Sequence, residues 1–286
     1  MSADGAVQNS VIHDIGYQRY DGPRLSRGYA ARSLFVHGLR ASFGLGRSAK
    51  AKIFPWIIIG IVSAIALIVA VVRAQGGETD IGYQDLPQVA SFLILIFLAV
   101  VAPELVSRDL RNHLLPLYFS RPVGRVDYVL AKLGALVVAA WLILAGPQLL
   151  IFVASAFGGA DFLGELKDLL GGFAMAAMYA VLFGTVSLLI ASLASRRAFA
   201  AGAIAAVYLI SLPVVAVVMA LGSETARQIA PMASPFMLPE GIREWIWGNG
   251  GDIDVGSYGP AYGVVGLLLP AICVLLLLLR YRRVSL

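Results

Sequence analysis

Six stretches of this chain are too long and too apolar to be left facing water: residues 53–72, 88–106, 129–157, 169–193, 198–221 and 260–279. A bilayer core requires about 20 apolar residues per helix, and each stretch meets that length. The first, IFPWIIIGIVSAIALIVAVV, holds thirteen Ile, Leu, Val or Phe residues. At about −0.3 to −0.6 kcal/mol each near a helix centre, its insertion is favourable by roughly 4–8 kcal/mol. Charged residues make up only 14% of the 286, where a soluble domain carries about a quarter. The expected fold class is therefore all-α: a polytopic membrane protein with six transmembrane helices. Residues 1–52 form a cytoplasmic N-terminal segment, and residues 53–286 the six-helix transmembrane domain.

Lys and Arg counts set the orientation. Eight precede Ile53, five lie between residues 107 and 132, two are Arg196 and Arg197, and three are Arg280, Arg282 and Arg283. These eighteen fall on one face, against only Arg73, Lys167, Arg227 and Arg243 on the other. Both termini are thus expected in the cytoplasm, in an inner or plasma membrane. The first apolar run follows a long basic segment and exceeds a signal-peptide core, so it reads as a retained signal anchor. The net charge of +5 fits orientation and anionic headgroups rather than nucleic acid. Eleven of the seventeen acidic residues lie on the outer face, Asp85, Glu165 and Asp254 among them.

The spans carry little that titrates. No Asp, Glu, Lys, Arg or His sits deep in any of them, and Glu104 and Lys132 lie near cytoplasmic ends. Ion-coupled carriers place such groups near the midplane, so energy is expected to enter from outside the spans. Cys273 is a lone cysteine, and His13, His37 and His113 lack ligand spacing, which leaves no cysteine- or histidine-based metal site. Gly44-Leu45-Gly46-Arg47-Ser48-Ala49-Lys50 lacks phosphate-loop spacing, so this chain holds no nucleotide itself and is not an enzyme.

Several features invite structural tests. Gly172, Ala176, Ala180 and Gly184 form a small-residue stripe at intervals of four, and Ala198, Gly202 and Ala206 repeat the pattern. Such stripes let backbones approach closely, within the chain or between subunits. Gly146-Pro147-Gln148 interrupts the third span with a kink and an amide. Gln148, Tyr179, Phe183 and Tyr208 are candidates for a lipophilic substrate path, with core packing as the plainer role for the aromatics. Residues 29–46 place Phe35, Leu39 and Phe43 four apart, as an interfacial helix along the cytoplasmic leaflet would. The outer segment 222–259 carries Trp245 and Trp247, expected at headgroup level, and Glu240, Glu244, Asp252 and Asp254, expected in a solvated loop. The connection 103–132 is longer than a turn needs. It combines Glu104, basic residues, Leu114, Leu115, Tyr118 and Ser120-Arg121-Pro122; apolar side chains there suit either the bilayer surface or a protein partner.

At this connection the sequence resembles the permease subunits of type-2 ATP-binding-cassette (ABC) exporters. Those permeases have an interfacial N-terminal helix, six spans and an acidic residue closing span two. A short coupling helix, a Pro-containing turn and an x-G-K or x-A-K opening of span three follow. The corresponding positions here are residues 29–46, Glu104, about 108–119, Ser120-Arg121-Pro122 and Ala131-Lys132. The opening Ile15–Arg24 resembles the cytoplasmic start of one branch of the family, and segment 222–259, with Ser234-Pro235, matches its short outer helices. The resemblance implies a coupling loop over about 107–128 that docks in a groove of a separate ATPase subunit, present in two copies. Leu114, Leu115 and Tyr118 would be buried there, with Arg108, Asp109, Arg111, Arg121 and Pro122 around them. It further implies a second permease chain, identical or related, with ATP and Mg²⁺ held by the partner ATPase. A gradient-driven transporter, an outer-segment enzyme and a membrane anchor for another complex are the rival readings.

Overall fold

The computed structural model describes residue 22, residues 25–46 and 48–75, residues 79 and 81–112, residue 118, and residues 123–157, 161–248 and 253–283. These are almost entirely helical. Helices α1 (Arg27–Ser42) and α2 (Ala49–Ala74) are followed by α3 (Leu86–Val89), α4 (Ser91–Leu105) and α5 (Ser107–Arg111). Helices α6 (Arg125–Ala145), α7 (Gln148–Phe157), α8 (Phe162–Leu193) and α9 (Arg197–Leu221) come next. Short α10 (Glu224–Ile229) and α11 (Leu238–Trp247) precede the final α12 (Gly259–Arg283).

Five elements are long and apolar enough to cross a membrane: α2, the continuous run α6–α7, α8, α9 and α12. The second expected span differs from the sequence expectation. Its regular helix, α4, has only 15 residues, about 22 Å at 1.5 Å per residue. Helix α3 leads into it, because Ala90 N–H bonds to Leu86 O and Ala90 O accepts from Ile94 N–H, each at 3.0 Å. Elsewhere the helices overrun the hydropathy boundaries. Helix α8 begins at Phe162, not residue 169, because Asp161 caps it by accepting from Gly164 N–H at 3.0 Å. Hydropathy marks the part of a helix that lipid touches, whereas caps decide where the helix ends.

Helix α8 is the central pillar, packed by α4, α6, α7, α9, α11 and α12. Its small-residue stripe makes this possible. Ala176 and Ala180 are fully buried. A side chain at Gly172 would strike Gln148 and Tyr83, and one at Gly184 would meet Val137 Cγ2 at 3.0 Å. The stripe therefore serves packing within the chain. The second stripe is different: Gly202 has nothing within 4 Å of where a Cβ would stand, so this side of α9 faces outward.

Helix α1 packs along α6. Arg27 pairs with Asp127, Phe35 packs over Gly134, and Gly38 abuts Ala135. The two helices thus lie side by side, and Phe35, Leu39 and Phe43 pack against the protein core. Gly44 (φ +67°) and Gly46 (φ +83°) then turn the chain into α2 in a left-handed conformation that suits glycine.

The two stripes predict opposite responses. Gly172→Ala should lower stability by about 1–3 kcal/mol through overpacking. Gly202→Ala should be neutral or raise it by up to about 1 kcal/mol, since alanine is the better helix former. Thermal unfolding of the detergent-solubilised protein distinguishes the two.

Candidate functional site

The Lys/Arg-rich connections converge on one end of the bundle, hereafter the basic end. Short α5 is held there on two sides. Ser107 Oγ donates to Ala191 O at 2.9 Å, at the end of α8. Asp109 Oδ2 meets Lys132 Nζ of α6 at 2.8 Å and accepts from Tyr128 Oη at 2.9 Å. Asp109 and Lys132 are 6% and 4% exposed, so neither side chain is available to a rim. The sequence expectation of Asp109 at the edge of a docking surface is thereby corrected: the short 107–111 helix turns this carboxylate inward, where Lys132 neutralises it. A buried pair of this kind contributes little net stability, but losing one partner strands the other.

Aromatic rings complete this joint. Tyr128 stacks with Tyr118 at 5.6 Å and with Tyr281 of α12 at 5.4 Å between centroids. Lys132 Nζ lies 5.5 Å from the Tyr128 ring centre and 6.0 Å from that of Tyr118. Tyr118 is half-buried in these contacts. Glu104, closing α4, pairs with Arg197 at the start of α9. Arg280 Nε donates to Ser192 O at 2.7 Å, placing a cation where the carbonyls of α8 run out. Arg27 clasps Asp127 through Nε and Nη2 at 2.5 and 2.8 Å, and that hydrogen-bonded carboxylate raises the Arg27 pKa above its ordinary value. Arg111 is exposed. Leu114, Leu115, Arg121 and Pro122, and the side chain of Arg108, lie outside the described residues, as does segment 1–21.

Of the path candidates, three come together. Tyr179 and Phe183 have centroids 5.6 Å apart, and Phe183 and Tyr208 4.8 Å. Phe236 joins Phe183 at 5.8 Å. Tyr208 Oη donates to Phe183 O at 3.2 Å. All three candidates are buried, forming a closed aromatic column between α8 and α9. Gln148 makes its hydrogen bonds elsewhere. Its Nε2 donates to Leu144 O at 3.3 Å and Gly172 O at 3.2 Å, serving carbonyls beside the Gly146-Pro147 break and tying α7 to α8.

The opposite end holds an ionic cluster that the sequence reading missed. Arg243 of α11 is 3% exposed. Its Nη2 donates to Glu240 Oε1 at 2.6 Å and its Nη1 to Asp85 Oδ1 at 2.8 Å, with Glu244 Oε2 at 3.7 Å. The hydrogen bonds it donates to Glu240 hold the Arg243 guanidinium above its ordinary pKa. Glu240, expected in a solvated loop, is instead 5% exposed. The reason is packing: Tyr262 fills the face of Gly241, and Trp245 lies over Gly259 and Gly263, pressing α11 onto α12. Trp245 is half-exposed, whereas Trp247 packs against the core. Beside this cluster Tyr83 donates to Glu165 at 2.5 Å, and burial together with that bond pushes its hydroxyl pKa well above the phenol range. The Glu240–Arg243 spacing of three was legible on a helix; Asp85, 158 positions away, was not.

The joint at the basic end has a sharp test. Lys132→Met should destabilise the protein by about 3–5 kcal/mol, because Asp109 is left buried and uncompensated. Adding Asp109→Asn should recover more than half of that loss, as read by chemical unfolding in detergent across the double-mutant cycle. No protein-family model matches the chain, and no curated protein matches it.

Proposed function

We propose that this chain is the transmembrane permease subunit of an ATP-driven exporter of the type-2 ABC kind, coupled to a separate ATPase. The observation that carries the reading is the joint at the basic end. Asp109–Lys132, Ser107–Ala191 and Glu104–Arg197 fasten the segment just before the 113–122 connection to α6, α8 and α9 at once. A push on that connection by a partner would move three long helices together instead of bending one. Such rigid transmission is what a subunit without its own nucleotide site requires.

In this reading, α3 and α4 together complete a sixth span, and the basic end faces the cytoplasm of an inner or plasma membrane. Leu114 and Leu115 enter a groove on one ATPase subunit, a second permease chain engages the other, and the two ATPase copies hold the ATP and Mg²⁺. Tyr118 belongs to the joint, through Tyr128 and Lys132, and steadies the base of the connection. The weakly covered faces of α9 and α12 meet lipid and a second permease chain; only 17% of the apolar window of either helix is buried. Export uses the path between two such chains, and the apolar character of the spans favours a lipophilic or amphipathic cargo.

A gradient-driven carrier is the second reading, and one observation favours it. Glu240 and Arg243 are buried, and Asp85, half-buried, pairs with Arg243 beside them. Transport abolished by an uncoupler at constant ATP, and by Asp85→Asn, would support that reading.

The exporter reading predicts that a tagged chain, taken from the membrane in mild detergent, brings down an ATP-hydrolysing subunit. Leu114→Asp with Leu115→Asp should abolish this association while leaving thermal unfolding unchanged. Recovery of the ATPase with the double variant, or its absence with wild type, would sink the proposal.

A further inference from the structure

Two cavities meet beside the turn between α1 and α2, and they differ in chemistry. The larger, about 890 Å³, lies between α1 and the α4–α6 joint. Arg32, His37 and Arg40 line one wall, and Glu104, Asp109 and Lys132 the other. The acidic groups on the second wall are already matched, Asp109 by Lys132 and Glu104 by Arg197. Arg32 and Arg40 are exposed, and neither takes part in an ion pair among the described residues. Among the described lining residues three cations stand against two carboxylates, and the two without an ion-pair partner, Arg32 and Arg40, flank His37 in the sequence of α1.

The smaller cavity, about 420 Å³, lies where α2 passes the Gly146–Pro147 break. Phe43, Trp56, Ile59, Leu142 and Leu150 line it, and Ser63 is one of its few polar groups. Leu45 borders both cavities. The left-handed glycines on either side of it hold this leucine out at their junction, 39% exposed. Trp56, half-exposed at the rim, is the side chain that favours the level of lipid headgroups.

We propose that the two cavities form one site for an anionic phospholipid, its phosphate between Arg32 and Arg40 and an acyl chain in the groove beside Trp56. Two unmatched guanidiniums select a phosphate, which each can engage through paired N–H donors. An apolar groove that shares Leu45 with the basic cavity selects a hydrocarbon chain over a soluble phosphate. Bound there, the lipid ties α1 to α2 and to the broken third span. The site needs only a membrane setting and holds whether or not an ATPase partner exists.

The test uses the full-length protein in dodecyl maltoside, with bound lipid counted by native mass spectrometry. One dioleoyl phosphatidylglycerol should be retained at least about tenfold more tightly than dioleoyl phosphatidylcholine. Arg32→Ala with Arg40→Ala should erase that preference, and Arg32→Lys with Arg40→Lys should keep most of it, which separates charge loss from misfolding. Ser63→Phe, filling the groove, should weaken both lipids. Arg227→Ala, at the opposite end, should change nothing. Equal retention of the two lipids by wild type, or a preference that survives the double alanine variant, would overturn the proposal. So would equal weakening by Arg227→Ala, or full displacement by glycerol phosphate, which would mark a soluble-anion site without the groove.

Discussion

Everything else in this molecule depends on the close approach that α8 allows along its face of small residues. In lipid, helices gain nothing from hiding apolar surface from water, so association relies on packing and hydrogen bonds at short range. Gly172 and Gly184 bring Gln148, Tyr83 and Val137 against the α8 backbone. With α8 fixed at the centre, α6–α7 lies along one side, and α9, α11 and α12 gather on others. Peripheral helices then need only one contact face each, which leaves broad apolar surfaces on α9 and α12 for lipid or a partner.

Charge is distributed by the same solvent logic. The interior of a bilayer penalises an unmatched ion by several kcal/mol, and the chain keeps its ions at the two ends, mostly in pairs. At the basic end, Asp109–Lys132, Glu104–Arg197 and Arg27–Asp127 each join different helices. At the other end, Arg243 gathers Asp85 and Glu240, and Arg73 and Tyr83 converge on Glu165. Each end is therefore cross-linked by electrostatics, while the middle is held by packing.

The tightness of the two ends differs in a way that matters for the proposed lipid site. Around α11, glycines accept Trp245, Tyr262 and Ile242 with no space left over. Around α1, by contrast, space remains between the helix and the α4–α6 joint, with two arginines facing it. A molecule of opposite charge filling that space would complete the basic end as closely as the other end already is.

Much of this was legible in the sequence, and the reasons are physical. Hydropathy over some twenty residues reports on the solvent, so five of the six expected spans appear as membrane-length helices, while the second has a regular helix of only 15 residues; the clustering of Lys and Arg at one end was legible too. The Gly172–Gly184 stripe was visible because a helix repeats its face about every four residues. What the sequence left open were partners chosen across distance: whether the stripe faced its own chain, that Asp109 turns inward to Lys132, that Tyr179, Phe183 and Tyr208 close on one another, and that Asp85 reaches Arg243. Helix α1 shows the same limit, since its apolar face suits a leaflet or a protein equally well until α6 offers Gly134 and Ala135. Periodicity determines which face of a helix is apolar; only the assembled bundle decides what covers it, because that choice turns on the shapes and charges of residues far away in the chain.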